Sequence, residues 1–173
     1  VIGSGASLAL LLVLFAGLRR TGASRLGAAL ASLLLGSSMV LQIWAAAGME
    51  TNAYALAFFI GLLLLSAERP TSRSVLMAST ALVLAAFTRP EGLAFWGLGL
   101  AAASWRAGWD EDHPWRSALR AAATYAIPGV ALITFFVWRV TYYGFPFPNT
   151  YYVKTGGGPE LWRQGIHGLR LFA

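Results

Sequence analysis

The chain has no cysteine. Disulfides, thiolate metal centres and cysteine redox chemistry are therefore excluded. Charge is scarce as well: 12% of the residues are Asp, Glu, Lys or Arg, against 57% hydrophobic. A soluble chain of 173 residues needs far more polar surface. The few charges fall in short clusters between apolar runs, which is the distribution of a polytopic membrane protein. A nucleotide-binding fingerprint is missing too. The glycines at 156 to 158 have no strand before them and no Walker lysine or spaced glycines after them, so with Pro159 they read as a flexible break.

What is present is apolar helix. The runs are 1–18, 26–47, 53–65, 75–87, 93–105 and 119–138. A bilayer core takes roughly 20 helical residues, so the first, second and sixth qualify directly and the middle three require helical polar flanks. The expected fold is all-α, a transmembrane helix bundle of six spans over residues 1–138. An interfacial loop follows over 139–160, and the start of a further amphipathic or membrane helix over 161–173. The first run has no basic segment before it, and its arginines follow it, so it reads as an ordinary span rather than a signal peptide. The chain begins without Met and stops inside a new apolar segment, and is expected to be a piece of a longer protein.

Basic residues set the expected orientation. Arg19, Arg20 and Arg25 follow the first span, Arg69 and Arg73 the third, and Arg106, Arg116 and Arg120 the fifth. These three connections alternate as one side of a membrane and are assigned to the cytoplasm. The other side collects "GMETN" at 48–52, "TRPEG" at 88–92 and the stretch from 139 onward. Each of these holds ionisable residues at the end of a span: Glu50, Arg89, Glu91, Arg139 and Lys154. Such groups near the hydrocarbon boundary are costly unless paired, hydrated or used, and their convergence on one face marks a functional site.

Each candidate has a plainer explanation beside it. Glu50 suits the first turn of a helix, where the dipole favours a carboxylate. Arg89 and Glu91 form a surface pair worth little. Alternatively, Pro90 starts the fifth helix in a tight turn after Thr88, and the helix start offers N–H groups to an anion. The tyrosines of "RVTYYGFPFPNTYYVK" at 139–154 suit an aromatic interfacial belt. That belt leaves Arg139, the prolines and Lys154 unexplained. Pro146 and Pro148 predict an irregular loop over 144–150. Arg139 and Lys154 flank this loop as two cations facing an anion, and a lipid phosphate is the natural ligand at that depth. The run "WDEDH" at 109–113 resembles a cation or acid/base cluster, but the topology puts it in a cytoplasmic connection, where it reads as a solvated loop. No metal site is expected. The net charge of +6 is accounted for by the positive-inside pattern rather than by nucleic-acid binding.

"GMET", "TRPEG" and "WRVTYYGFPFPNTYYVK", in this order and each at the outer end of a span, resemble the bacterial polytopic glycosyltransferases of the GT-C fold class. The likeness is to the group similar to the mycobacterial terminal arabinofuranosyltransferase. It covers essentially the whole chain and rests chiefly on the last motif. The resemblance implies a multi-pass protein of the bacterial plasma (inner) membrane with an extracytoplasmic active face. Its donor would be a polyprenyl-phosphate sugar, arabinofuranose being the sugar of that group, and its acceptor a cell-envelope glycan or lipid. It needs no cofactor. Residue by residue, Arg89, Arg139 and Lys154 match positions for the donor phosphate, and Tyr143, Asn149 and Tyr152 would line the sugar site. The family's catalytic aspartate pair and its Glu-Gly-Tyr-Thr segment, both near the first external loop, have no counterpart here. The base is therefore expected outside this piece, which by itself should be inactive; within it Glu50 and Glu91 are the catalytic candidates, as groups that bind or orient the acceptor. Two other classes compete. A transporter or flippase for a lipid-linked or anionic substrate predicts interrupted helices near the midplane and internal duplication; Pro128 is the candidate interruption, and no repeat is visible. A purely structural membrane anchor leaves the clustering on one face unexplained.

Overall fold

The computed structural model describes residues 2–47, 50–67, 71–109, 113–145 and 163. Among these residues the chain forms seven α-helices and no strand: α1 Ile2–Arg20, α2 Arg25–Gly36, α3 Met39–Ala46, α4 Thr51–Leu65, α5 Ser72–Thr88, α6 Glu91–Ala107 and α7 Pro114–Tyr143. Two compact units divide the chain at residues 133 and 134, inside α7.

Local chemistry starts several of these helices. Ser24, Ser38 and Thr71 sit in extended backbone as N-caps, and their side chains accept from the N–H groups of Gly27, Leu41 and Ser74. Each cap satisfies one of the donors that a helix start leaves unpaired.

In the first unit, α1 and α4 run parallel: Asn52 near the start of α4 bonds Ser7 near the start of α1, and Gly17 lies against Leu63 at the far end. α5 returns antiparallel to α4, with Gly61 set against Leu82 and the Ala78 carbonyl. α6 packs back on α5 in a hairpin, and α7 on α6, where Gly99 lies against the Tyr125 ring and Gly129 against Trp96. Glycine at such crossings lets helices approach closely where the hydrophobic effect supplies little drive.

A closed polar triangle holds α5, α6 and α7 together. The Ser79 hydroxyl donates to the Tyr125 carbonyl at 2.5 Å and accepts from the Trp96 indole at 2.9 Å. The Tyr125 hydroxyl donates to the Trp96 carbonyl at 3.1 Å. Ser79 and Tyr125 are fully buried. Pro128 deprives the Thr124 carbonyl of its helical donor, and the Ser79 bond falls on the next carbonyl along. A neighbouring helix thus bonds the α7 backbone one residue from the carbonyl that the proline leaves without its donor. α7 accordingly runs unbroken through Pro128. The interruption expected there lies elsewhere.

The second apolar run, 26–47, is two helices rather than one: α2 and α3 are bent by 58° at Gly36–Ser38. Gly36 ends α2, and the two serines that follow offer side chains that compete with the ladder. The break closes on itself. The N–H groups of Ser37 and Ser38 donate to the carbonyls of Leu33 and Leu35, and the Gln42 amide donates to the Gly36 carbonyl.

The six expected spans reduce to fewer on length. α1 and α7 are long and apolar enough to cross a membrane, and the bent pair α2 and α3 makes a third if counted as one span. α4, α5 and α6 have 15, 17 and 17 residues. Their polar flanks do not extend them, because Thr71 and Pro90 fix new starts and Gly108 caps α6.

In the second unit the helix continues past the expected end of the sixth span, through Arg139 to Tyr143. The first five residues of the loop expected over 139–160 are therefore helical, and 146–160 lie outside the described residues, as does the helix expected over 161–173 apart from residue 163. Nothing before residue 144 breaks the ladder. Gly144 then takes φ +75° and donates its N–H to the Val140 carbonyl, a glycine stop.

Candidate functional site

The connection from α5 to α6 is two residues long. Arg89 caps α5 in extended backbone, φ −142° and ψ 135°, as the residue before a proline prefers, and Pro90 precedes the first residue of α6, Glu91. The tight turn expected at "TRPEG" is present, with Pro90 at the cap rather than inside the helix. Gly92 explains the last letter of the motif: a Cβ there would stand 2.5 Å from the Ala86 nitrogen, so only glycine allows the two backbones to meet.

Arg89 is half-buried at this turn. Its Nε lies 4.0 Å from the Glu91 Oε2, and its guanidinium carbon lies 5.7 Å from the centroid of the Tyr54 ring in the first turn of α4. Tyr54 stacks at 6.0 Å on Phe58, which meets Phe95 of α6 edge-on at 4.7 Å. Arg89 is thus seated on a ring anchored to two helices. Its terminal Nη atoms carry no hydrogen bond among the described residues, which leaves the planar fork open toward an oxyanion. The loose pair with Glu91, whose side chain is 61% exposed, contributes little to stability.

The backbone around this turn offers less than expected. The N–H groups of Gly92 and Leu93 already donate to the carbonyls of Arg89 and Pro90, at 3.0 and 3.1 Å. A helix start whose donors are spent on the preceding turn is a weak anion site, so any anion here relies on the Arg89 side chain.

Glu50 caps α4 without a side-chain hydrogen bond, and its carbonyl accepts from the Tyr54 N–H at 2.8 Å. The start of α4, the end of α5 and the start of α6 lie at one end of the first unit, which therefore holds Glu50, Tyr54, Arg89 and Glu91. The opposite end holds Arg19, Arg20, Arg25, Arg73 and Arg106 by the same packing of successive helices, and Arg116 and Arg120 because the start of α7 lies against Gly108 at the end of α6. Tyr54 was not among the residues expected at a site. Its place four residues after Glu50 puts the two on one helix face, but only the packing of α4 beside the α5–α6 turn brings it under Arg89.

In the second unit, Arg139 lies between two rings of its own helix, with its guanidinium carbon 5.9 Å from the centroids of both Phe135 and Tyr143. Its Nε is buried and has no hydrogen-bond partner among the described residues. Trp138 stacks on Tyr142 at 5.6 Å beside this stripe. Tyr143 itself is exposed. Asn149, Tyr152 and Lys154 lie outside the described residues. Among the described residues no three of His, Asp and Glu come together as a metal site would require; residues 110–112 of the acidic run lie outside them.

No family model, no curated protein and no solved structure matches this chain.

Proposed function

We propose that the protein is part of a multi-pass glycosyltransferase of the bacterial plasma membrane that transfers a sugar from a polyprenyl-phosphate donor to a cell-envelope glycan or lipid on the extracytoplasmic face. The observation that carries the reading is the open guanidinium of Arg89, seated on Tyr54 at the end of the first unit opposite the seven arginines.

In this chemistry the acceptor hydroxyl oxygen attacks the anomeric carbon as the bond from that carbon to the phosphate oxygen breaks. The leaving polyprenyl phosphate takes the electron pair, and a carboxylate takes the hydroxyl proton. The charge that grows on the phosphate is stabilised by cations placed before the reaction. Arg89 fills that role with a fork suited to phosphate, and the resemblance in sequence assigns the same role to Arg139 and Lys154. Glu50 and Glu91, at the same end as Arg89, orient the acceptor in this reading, and the resemblance assigns the base to neither. Tyr143, Asn149 and Tyr152 contact the sugar in this reading.

The experiment is transfer from radiolabelled polyprenyl-phosphate sugars by membranes carrying the full-length protein. Label appearing in a glycan or lipid acceptor supports the reading. Label retained in the donor for every sugar offered refutes it.

One observation favours a second reading. The break at Gly36–Ser38 divides an apolar segment as the discontinuous helices of transporters are divided. A transporter reading predicts movement of a lipid-linked or anionic substrate across the membrane without any covalent change to it.

A further inference from the structure

We propose that the end of the first unit opposite Arg89 is a docking surface for an anionic phospholipid leaflet, built from exposed arginines and exposed indoles. The two helices long enough to cross a membrane both reach this end: α1 finishes with Arg19 and Arg20, and α7 begins with Trp115, Arg116 and Arg120. Arg25 opens α2, Arg73 lies in the first turn of α5, and Trp105 and Arg106 close α6. All seven arginines are exposed. Arg20, Arg25, Arg73 and Arg120 have no carboxylate partner among the described residues. The two carboxylates that are described, Glu50 and Glu91, belong to the other end. In sequence, the connections that follow α4 and α6 also contain Glu68, Arg69, Asp110, Glu111 and Asp112, which lie outside the described residues.

Charge alone fits any polyanion; the indoles select a lipid surface. Trp105, Trp109 and Trp115 are 66%, 76% and 63% exposed. Trp105 and Trp109 lie 5.6 Å apart by ring centroid, and the Arg116 guanidinium carbon stands 5.2 Å from the centroid of Trp115. Gly108 lies against the Pro114 backbone, so the end of α6, with Trp105 and Trp109, and the start of α7, with Trp115, are neighbours. Large amphipathic rings left open to water are unfavourable, whereas the glycerol and headgroup layer accepts both their apolar bodies and their N–H groups. Arginines among them meet lipid phosphates at the same depth, as basic segments beside a membrane do. A free polyanion in solution satisfies the arginines and leaves the indoles uncovered.

The test is native mass spectrometry of the full chain in detergent with equimolar phosphatidylglycerol and phosphatidylcholine of equal acyl length. The expected result is preferential retention of phosphatidylglycerol. Replacing Arg20, Arg25, Arg73 and Arg120 together by Gln lowers that preference at least about fivefold, and replacing the same four by Lys preserves it. Trp105→Leu with Trp109→Leu reduces retention of both lipids. If the Gln variant does not insert, a salt titration of the unmodified chain decides: the preference falls as ionic strength rises. Equal retention of the two lipids by the unmodified chain overturns the proposal, as does a preference unaffected by both the Gln changes and salt. Stoichiometric displacement of phosphatidylglycerol by inorganic polyphosphate, with no effect of the tryptophan changes, overturns it in favour of a soluble polyanion.

Discussion

The guanidinium of Arg89 lies over the ring of Tyr54, 5.7 Å from its centroid, although 35 positions separate them in the chain. A two-residue turn delivers the cation and the first turn of α4 delivers the ring, so the contact exists only once α4, α5 and α6 have packed. If Tyr54 positions Arg89, Tyr54→Phe keeps full transfer activity because the ring remains. Tyr54→Leu lowers it by roughly two- to fivefold, the value of about 0.5–1 kcal/mol for an exposed cation–π contact. Steady-state transfer rates at matched expression check this, and a larger loss in Tyr54→Phe than in Tyr54→Leu contradicts it.

Gly92 sets how closely the α5–α6 hairpin closes. Gly92→Ala has to push the Ala86 backbone aside, whereas Gly97→Ala on the same helix meets nothing within 4 Å. The first is expected to lower the thermal midpoint in detergent and the transfer rate together; the second leaves both unchanged or raises the midpoint slightly, since alanine is the better helix former. Equal midpoints for the two variants refute the account of the turn.

Ser79 links three helices through its single oxygen. Ser79→Ala leaves the indole N–H of Trp96 without a partner and removes the support beside Pro128, a loss of about 1 kcal/mol. Reversible unfolding in mixed micelles measures it. In the Pro128→Ala background the loss is expected to shrink if the proline ring, one turn along, also weakens the helical bond to the Tyr125 carbonyl that Ser79 meets. An unchanged loss in that background contradicts the link between Ser79 and the proline.

The absence of native cysteine makes sidedness directly measurable. Thr21→Cys, between α1 and α2, and Thr88→Cys, at the α5–α6 turn, each introduce one thiol at an exposed position. A membrane-impermeant maleimide is expected to label Thr88→Cys in intact cells and Thr21→Cys only after permeabilisation. Labelling of both from one side contradicts opposite placement of the two ends across a membrane.

These relationships were unequally legible in the sequence. The turn at Arg89 was readable because Pro90 constrains its own φ and the residue before it, so the outcome depends on two neighbours alone. The all-helical class followed from the length of the apolar runs. The break at Gly36–Ser38 was hidden because hydropathy stays high across it, and the signal, a glycine followed by two serines, is short and common. Pro128 misled in the opposite direction: α7 runs unbroken through it, and the Ser79 bond from α5 to the neighbouring Tyr125 carbonyl is not seen in a reading along the chain. The reach of α7 to Tyr143 was underestimated because Arg139 ends the apolar run, while the backbone meets no helix breaker until Gly144. Tyr54 was invisible as a site residue for the same reason as Ser79, since its partner comes from another helix.

The most direct test of the central claim is the transfer of radiolabelled sugar from a polyprenyl-phosphate donor by full-length protein carrying Arg89→Ala, compared with the unmodified protein at equal membrane insertion. The account predicts loss of transfer in Arg89→Ala and partial recovery in Arg89→Lys, which restores the charge but not the fork. Full activity in Arg89→Ala would contradict it and remove Arg89 from the donor phosphate.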